Sequence, residues 1–168
     1  AESCASRVPF RMTICKPQEL LKALPAGSRL LGLDVGARTV GVAVSDINLT
    51  IATARTVVPR GRKFQPTADA LLDLMDETAA GGAIIGLPLD LSGRTGPRAQ
   101  ASKAFAYNLI AIREMPIAFW DERLSTNAVN RAMLEADMSR AKRDANIDKA
   151  AAAFILQGFL DHLHDGQA

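Results

Sequence analysis

The apolar residues of the chain follow two periods. Leu30 to Asp34, Val40 to Ser45 and Thr50 to Val58 are short runs rich in aliphatic and β-branched residues, and this pattern predicts strands. Gly36 to Thr39 is a tight connection, so the three runs form an antiparallel meander. From Pro66 and Thr67 the spacing changes. Ala68, Leu71, Leu72 and Met75 recur at helical intervals, and Gly81-Gly82 is the expected stop. Ala83 to Leu87 then reads as a buried strand. After a loop from Pro88 to Pro97 a helix is expected from about Arg98, with Ala101, Phe105, Leu109 and Ile112 on one face and Pro97 suited to its first turn. Ile117 to Trp120 is another buried strand. Ser125 or Thr126 caps a helix whose inner face is Val129, Ala132, Met133 and Ala136. A polar stretch, Asp137 to Ala145, leads to a last helix that buries Ile147, Ala151, Phe154, Ile155 and Gly158.

This order predicts an α/β domain with a mixed five-stranded sheet flanked by helices. A strand, helix, strand crossover requires parallel pairing, so the strands ending at Leu87 and Trp120 point the same way. If the first strand is central and parallel to them, Asp34, the Pro88 loop and Asp121-Glu122 meet at one carboxyl edge. Open α/β sheets place their sites there. The reading divides the chain into an N-terminal extension over 1–29 and one domain over 30–168. Residues 1–11 differ in character from the rest, and Met12 is a candidate native start.

Composition narrows the chemistry. A chain of 168 residues suffices for one cored domain without disulfides or a structural metal. Lys+Arg 20 against Asp+Glu 18 leaves a net charge of +2, so any nucleic-acid binding must come from local basic clusters. Cys4 and Cys15 both precede the first long strand and have no metal-ligand spacing, which suits a reducing compartment and makes the cytoplasm the expected location. No apolar run is long enough to span a bilayer, so a membrane partner is not expected. One Trp and one Tyr give no platform for base stacking.

Three acids, Asp34, Glu122 and Asp148, stand at the ends of segments that such a fold would gather. Mg²⁺ prefers near-octahedral oxygen ligands at about 2.0–2.1 Å and keeps several waters, so two or three convergent carboxylates suffice to hold it. Paired ions can stabilise both the attacking and the leaving oxygen of a phosphodiester, and that chemistry needs no histidine or cysteine. His162 and His164 lie in the C-terminal tail and are read as solvated. Each acid also has a structural role open to it. Asp34 can bond its own turn, Asp121 and Glu122 can pair with Arg123, and Asp148 complements a helix macrodipole. Asp46 and Asp90 also end strands and are both read as structural, with Asp90 the better second-rank ligand. Arg94 and Arg98 flank the start of a helix, where backbone N–H groups favour phosphate. Arg140, Lys142 and Arg143 precede Asp148 and are candidates for a nucleic-acid backbone, whereas Arg60, Arg62 and Lys63 are assigned to solvation.

Leu31-Gly-Leu-Asp34-Val-Gly36, Gly41-Val-Ala-Val-Ser45-Asp46, Gly86-Leu-Pro88 with Gly93 and Gly96-Pro-Arg98, Asp121-Glu122-Arg123-Leu-Ser-Thr126 and Asp148-Lys149 through Gln157-Gly158 form a collinear series. On these motifs the chain resembles the YqgF family, also called RuvX or Holliday junction resolvase-like proteins, over roughly Leu30 to Asp161. The resemblance implies an RNase H-like fold, catalytic and metal-holding roles for Asp34, Glu122 and Asp148, Mg²⁺ or Mn²⁺ as cofactor, and hydrolysis of nucleic-acid phosphodiesters. It further implies maturation of the 5′ end of pre-16S rRNA, with branched DNA as the alternative substrate. An RNA nuclease works as a monomer or homodimer, whereas a junction resolvase favours a symmetric dimer. Asp90 stands where the family commonly has Asn, and Arg94 is an added charge in the same loop. Two other classes compete. One is a non-catalytic nucleic-acid-binding accessory protein. The other is an actin-like ATPase, which needs a second domain of this kind.

Overall fold

The computed structural model describes residues 14–89, 94–122 and 140–165, with side chains in the last segment from Lys149 onward. The elements are β1 (Ile14–Cys15), α1 (Pro17–Ala23), β2 (Arg29–Val35), β3 (Thr39–Ser45), β4 (Ala52–Pro59), α2 (Phe64–Thr78), β5 (Ala80–Leu87), α3 (Pro97–Ile112), β6 (Ile117–Asp121) and α4 (Arg140–Asp165). The helix expected after Ser125 or Thr126 lies outside the described residues, as does Asp90.

The strands form one mixed sheet in the order β1-β6-β5-β2-β3-β4. β2, β5 and β6 are parallel, and β3 and β4 complete the predicted antiparallel meander. The sheet has six strands rather than five, because Ile14–Cys15 pairs in parallel with Ile117–Ala118. Two residues are too short to carry a period, which is why this strand left no signal. Part of the segment assigned to an extension thus packs on the sheet, with Leu20 of α1 fully buried and Cys15 nearly so.

Strand alternation sorts the core onto two faces. Leu31, Leu33 and Val35 of β2, Ala83 and Ile85 of β5 and Ile117 of β6 pack with Leu71 and Met75 of α2 and Phe105 and Leu109 of α3. Leu30, Ile84, Ala118 and Trp120 face the opposite way, onto Ala152, Ile155, Leu156 and Phe159 of α4. Each fully buried aliphatic or aromatic side chain contributes about 1.5–3 kcal/mol, so both faces hold the sheet firmly.

Several boundaries differ from expectation, for physical reasons. α2 ends at Thr78 and is capped by Ala79, which adopts a left-handed φ of 57°, and Gly81-Gly82 belongs to β5 instead. A Cβ at Gly81 would lie 2.6 Å from Ser28 Oγ, and one at Gly82 2.7 Å from the Pro116 carbonyl oxygen. These glycines answer close approach rather than a helix stop. In α3, Ala99, Ser102 and Ala106 are buried with Phe105 and Leu109, while Ala101 and Ile112 are exposed. α4 starts at Arg140, seven residues before the expected Ile147, because the polar stretch contains good helix formers and neither Gly nor Pro. Its buried face runs through Ala151, Ala152, Ile155, Leu156, Phe159 and Leu160, and Phe154 and Gly158 are only half-buried. Gly32 sets this roll. A Cβ there would stand 2.6 Å from Leu156 Cβ and 2.8 Å from the Ala152 carbonyl oxygen, so α4 rests directly on the β2 backbone. Among the described residues no helix is long and apolar enough to cross a membrane.

Candidate active site at the carboxyl edge

Register brings two of the expected acids together. On β2, Asp34 pairs with Gly41 of β3, and on its other side the ladder with β5 runs to Leu33 opposite Ile85. Asp34 therefore stands level with Gly86. Gly86 in turn pairs with Trp120 of β6, and Leu87 with Asp121. Because Leu30, Ile84, Ala118 and Trp120 face α4, alternation puts Asp34, Gly86 and Glu122 on that same face.

The missing side chain at Gly86 seats Glu122. A Cβ built at Gly86 would lie 2.7 Å from Glu122 Oε1, so the carboxylate rests over the β5 backbone. Ile155 of α4 closes the same spot, with Cγ1 3.0 Å from that position and Cδ1 nearer still. Asp34 is one strand away, about 4.8 Å. Two oxygens bound to one Mg²⁺ are each about 2.1 Å from it and therefore lie within about 4.2 Å of each other, a separation that neighbouring strands supply. Both acids are half-buried and both have polar contacts. The donor set, carboxylates without a histidine or cysteine, fits a hard divalent cation.

α4 brings the third acid to the same end of the molecule. Gln157 accepts a hydrogen bond from Ala52 N–H at 2.8 Å and donates to the Thr50 carbonyl at 2.9 Å, and His164 Nε2 lies 3.0 Å from the Leu49 carbonyl oxygen. The helix thus runs from the carboxyl edge of β2 to the opposite edge. Asp148 lies one turn before Ala152, on the side of α4 leading back to the carboxyl edge, and its side chain lies outside the described residues. Among the described residues no three His, Cys, Asp or Glu side chains group as a metal cage.

The remaining candidates separate by position. Arg94 and Arg98 are exposed at the start of α3, at the carboxyl edge. Arg140, Lys142 and Arg143 sit on the first turn of α4 rather than in a loop, and their side chains lie outside the described residues. Asp46 is structural, as expected. Its carboxylate accepts N–H bonds from Ile51 at 2.9 Å and Thr50 at 2.7 Å and the Thr50 hydroxyl at 2.7 Å. Those bonds, the Ile51 N–H first, hold it at about 2. His162 is exposed and packs against Trp120 at 5.3 Å, far along α4 from the acids.

Two contributors escaped sequence reasoning. Gly86 reads in the sequence only as one position of the Ala83 to Leu87 strand, and the register reveals it as the floor under Glu122. Arg60, grouped with solvated charges, donates from Nη1 to the Gly36 carbonyl and lies 5.3 Å above the Phe105 ring, which fastens the turn just after Asp34.

A sheet in this order, with two acids on one face of its carboxyl edge, defines an RNase H-like α/β protein. Thermus thermophilus RuvC, solved in complex with a Holliday junction substrate, superposes with a TM-score of 0.52 at 11% identity, covering 82% of this chain and 96% of that one. Residues 28–162 match the family described as "RuvX: Holliday junction resolvase". The chain belongs to that family. A relative from Chelativorans sp. is 54% identical over 152 residues, covering 90% of this chain and 94% of its own length, and one from Rhodospirillum rubrum is 53% identical over 153 residues. Both bear the name "Putative pre-16S rRNA nuclease". A match to 90% of this chain cannot fit within residues 30–168 alone, so these relatives share part of the segment before Leu30.

Proposed function

We propose that the chain is a divalent-metal-dependent nuclease that hydrolyses RNA phosphodiesters and processes the 5′ end of pre-16S rRNA in the cytoplasm. The observation that carries this reading is the Glu122 carboxylate seated over Gly86, one strand from Asp34 on the same face. Asp34, Glu122 and Asp148 hold Mg²⁺ or Mn²⁺, which supplies charge stabilisation to the phosphate oxygens. The chain itself fixes the carboxylates on rigid elements, so little reorganisation is needed when the ion enters. Arg94, Arg98, Arg140, Lys142 and Arg143 take backbone phosphates on the two sides of the acids. The names of the relatives favour RNA, and one copy of the chain suffices for a single cut.

A second reading, cleavage of branched DNA by a symmetric pair of copies, is favoured by the family description. Incubating the protein with pre-16S RNA, mature-end RNA and a four-way DNA junction, each with Mg²⁺ and with chelator, tests both. The proposal expects metal-dependent cutting of the precursor alone. Cutting of the junction alone transfers the site to DNA, and binding without cleavage in any metal makes the chain an accessory protein.

A further inference from the structure

The β2–β3 turn and the β4–α2 connection stand side by side at the carboxyl edge, and both are basic. Pairing of Thr39 with Pro59 brings Arg38 beside the segment that carries Arg62 and Lys63. All three side chains are exposed. Arg60 locks the two segments together. Its backbone N–H donates to the Arg38 carbonyl at 2.7 Å, while its guanidinium holds the Gly36 carbonyl and stacks on Phe105. Arg38, Arg62 and Lys63 therefore project from a pinned backbone.

The charges of these three are not spent on carboxylates. Two ion pairs elsewhere, Arg55 with Glu77 and Arg113 with Asp76, both involve acids at the far end of α2. Topology sends Asp46, Asp76, Glu77, Glu114, Asp161 and Asp165 to the edge opposite Asp34. A net charge of only +2 thus conceals a polarised molecule, with the exposed cations Arg38, Arg62 and Lys63 at the same edge as the acids of the site.

We propose that Arg38, Arg62 and Lys63 form a phosphate-binding ridge that holds the nucleic-acid backbone where it leaves the site on the Asp34 side. This rests on the nuclease reading and extends its substrate path over β3 and β4. From β2 to β4 is two strand spacings, about 10 Å. One strand of a duplex rises about 3.4 Å per phosphate, so about three phosphates span that length. The ridge offers three cations. Guanidinium forks match phosphate oxygens in pairs, and Lys63 adds a point charge.

The test is binding of a fluorescein-labelled 20-nucleotide RNA, and of a DNA of the same sequence, by anisotropy across a salt series without metal. Arg38→Gln, Arg62→Gln and Lys63→Gln are combined in one variant, and Lys22→Gln, Arg55→Gln and Arg113→Gln in a charge-matched control. The ridge variant should lower the slope of log K against log salt by about 2, since each single-strand phosphate contact contributes about 0.7. The control should keep the wild-type slope. Loss on RNA alone or on both probes supports the ridge and reports which backbone it takes. An unchanged slope in a folded ridge variant, with the wild type cleaving normally, overturns the ridge and leaves the nuclease reading intact. Equal losses in ridge and control variants overturn it in favour of diffuse charge. A wild type that neither binds these probes nor cleaves pre-16S RNA in Mg²⁺ overturns both.

Discussion

A single missing methyl group makes room for Glu122, so Gly86→Ala is the sharpest residue-level probe. The added Cβ would meet Glu122 Oε1 at 2.7 Å and Ile155 Cδ1 closer still, so both side chains must move. Expected outcomes are weakened Mg²⁺ binding and slowed cleavage, with partial rescue when Ile155→Val removes Cδ1 from the same spot. A Mg²⁺ titration of melting temperature for the single and double variants checks this. Asp34→Asn, Glu122→Gln and Asp148→Asn should leave metal-free stability unchanged or raised, because gathered carboxylates repel one another. Mg²⁺ should then stabilise the wild type more than any of the three, by binding the folded state. Early melting of all three with an unchanged metal response would instead assign the acids to structure. Asp46 behaves oppositely. Its folded pKa of about 2 is below the ordinary carboxylate value, so its contribution is present above about pH 4 and disappears as pH falls through about 2. Asp46→Asn should therefore lower the melting temperature near pH 7, and the gap to wild type should close in acid; a constant gap down to pH 2 contradicts the assigned role.

At the scale of elements, α4 is the part that joins fold to chemistry. It lies on β2 through Gly32, clamps the β3–β4 loop through Gln157 and carries Asp148 back toward the acid pair. Gly32→Ala should lift the helix, since the nearest atoms are Leu156 Cβ and a backbone oxygen rather than a flexible tip. Overpacking of this kind costs about 1–3 kcal/mol, which urea unfolding can read, and activity should fall further than stability. Replacing Arg140, Lys142 and Arg143 by Ala should flatten the salt dependence of RNA binding; an unchanged slope returns them to solvation. The meander, α2 and the two inner parallel strands were legible in the sequence because their apolar periods are clean and turns bound them. β1 and the first two turns of α4 were not. A two-residue strand has no period, and a helix that begins on polar residues shows only its propensity, which is weak until packing is known.

At the scale of the whole molecule, the shared edge of Asp34 and Glu122 was legible because each closes an apolar run, and topology rules then sent those two ends toward one edge. Their convergence across Gly86 was not, since it depends on the register of β5 between β2 and β6. The basic ridge was hidden for the same reason: Arg38 and Lys63 become neighbours only when β3 pairs with β4. In the proposed enzyme Asp34, Glu122 and Asp148 act as one metal site. Cleavage rate on pre-16S RNA in Mg²⁺, compared between wild type and the three isosteric variants after each is verified as folded, tests it most directly. Loss of a partner behind a metal ligand already costs about 10–100-fold, so removing a ligand charge should cost at least about 100-fold in each variant, with the wild type silenced by chelator. Folded variants that cut at the wild-type rate would contradict the three-acid site.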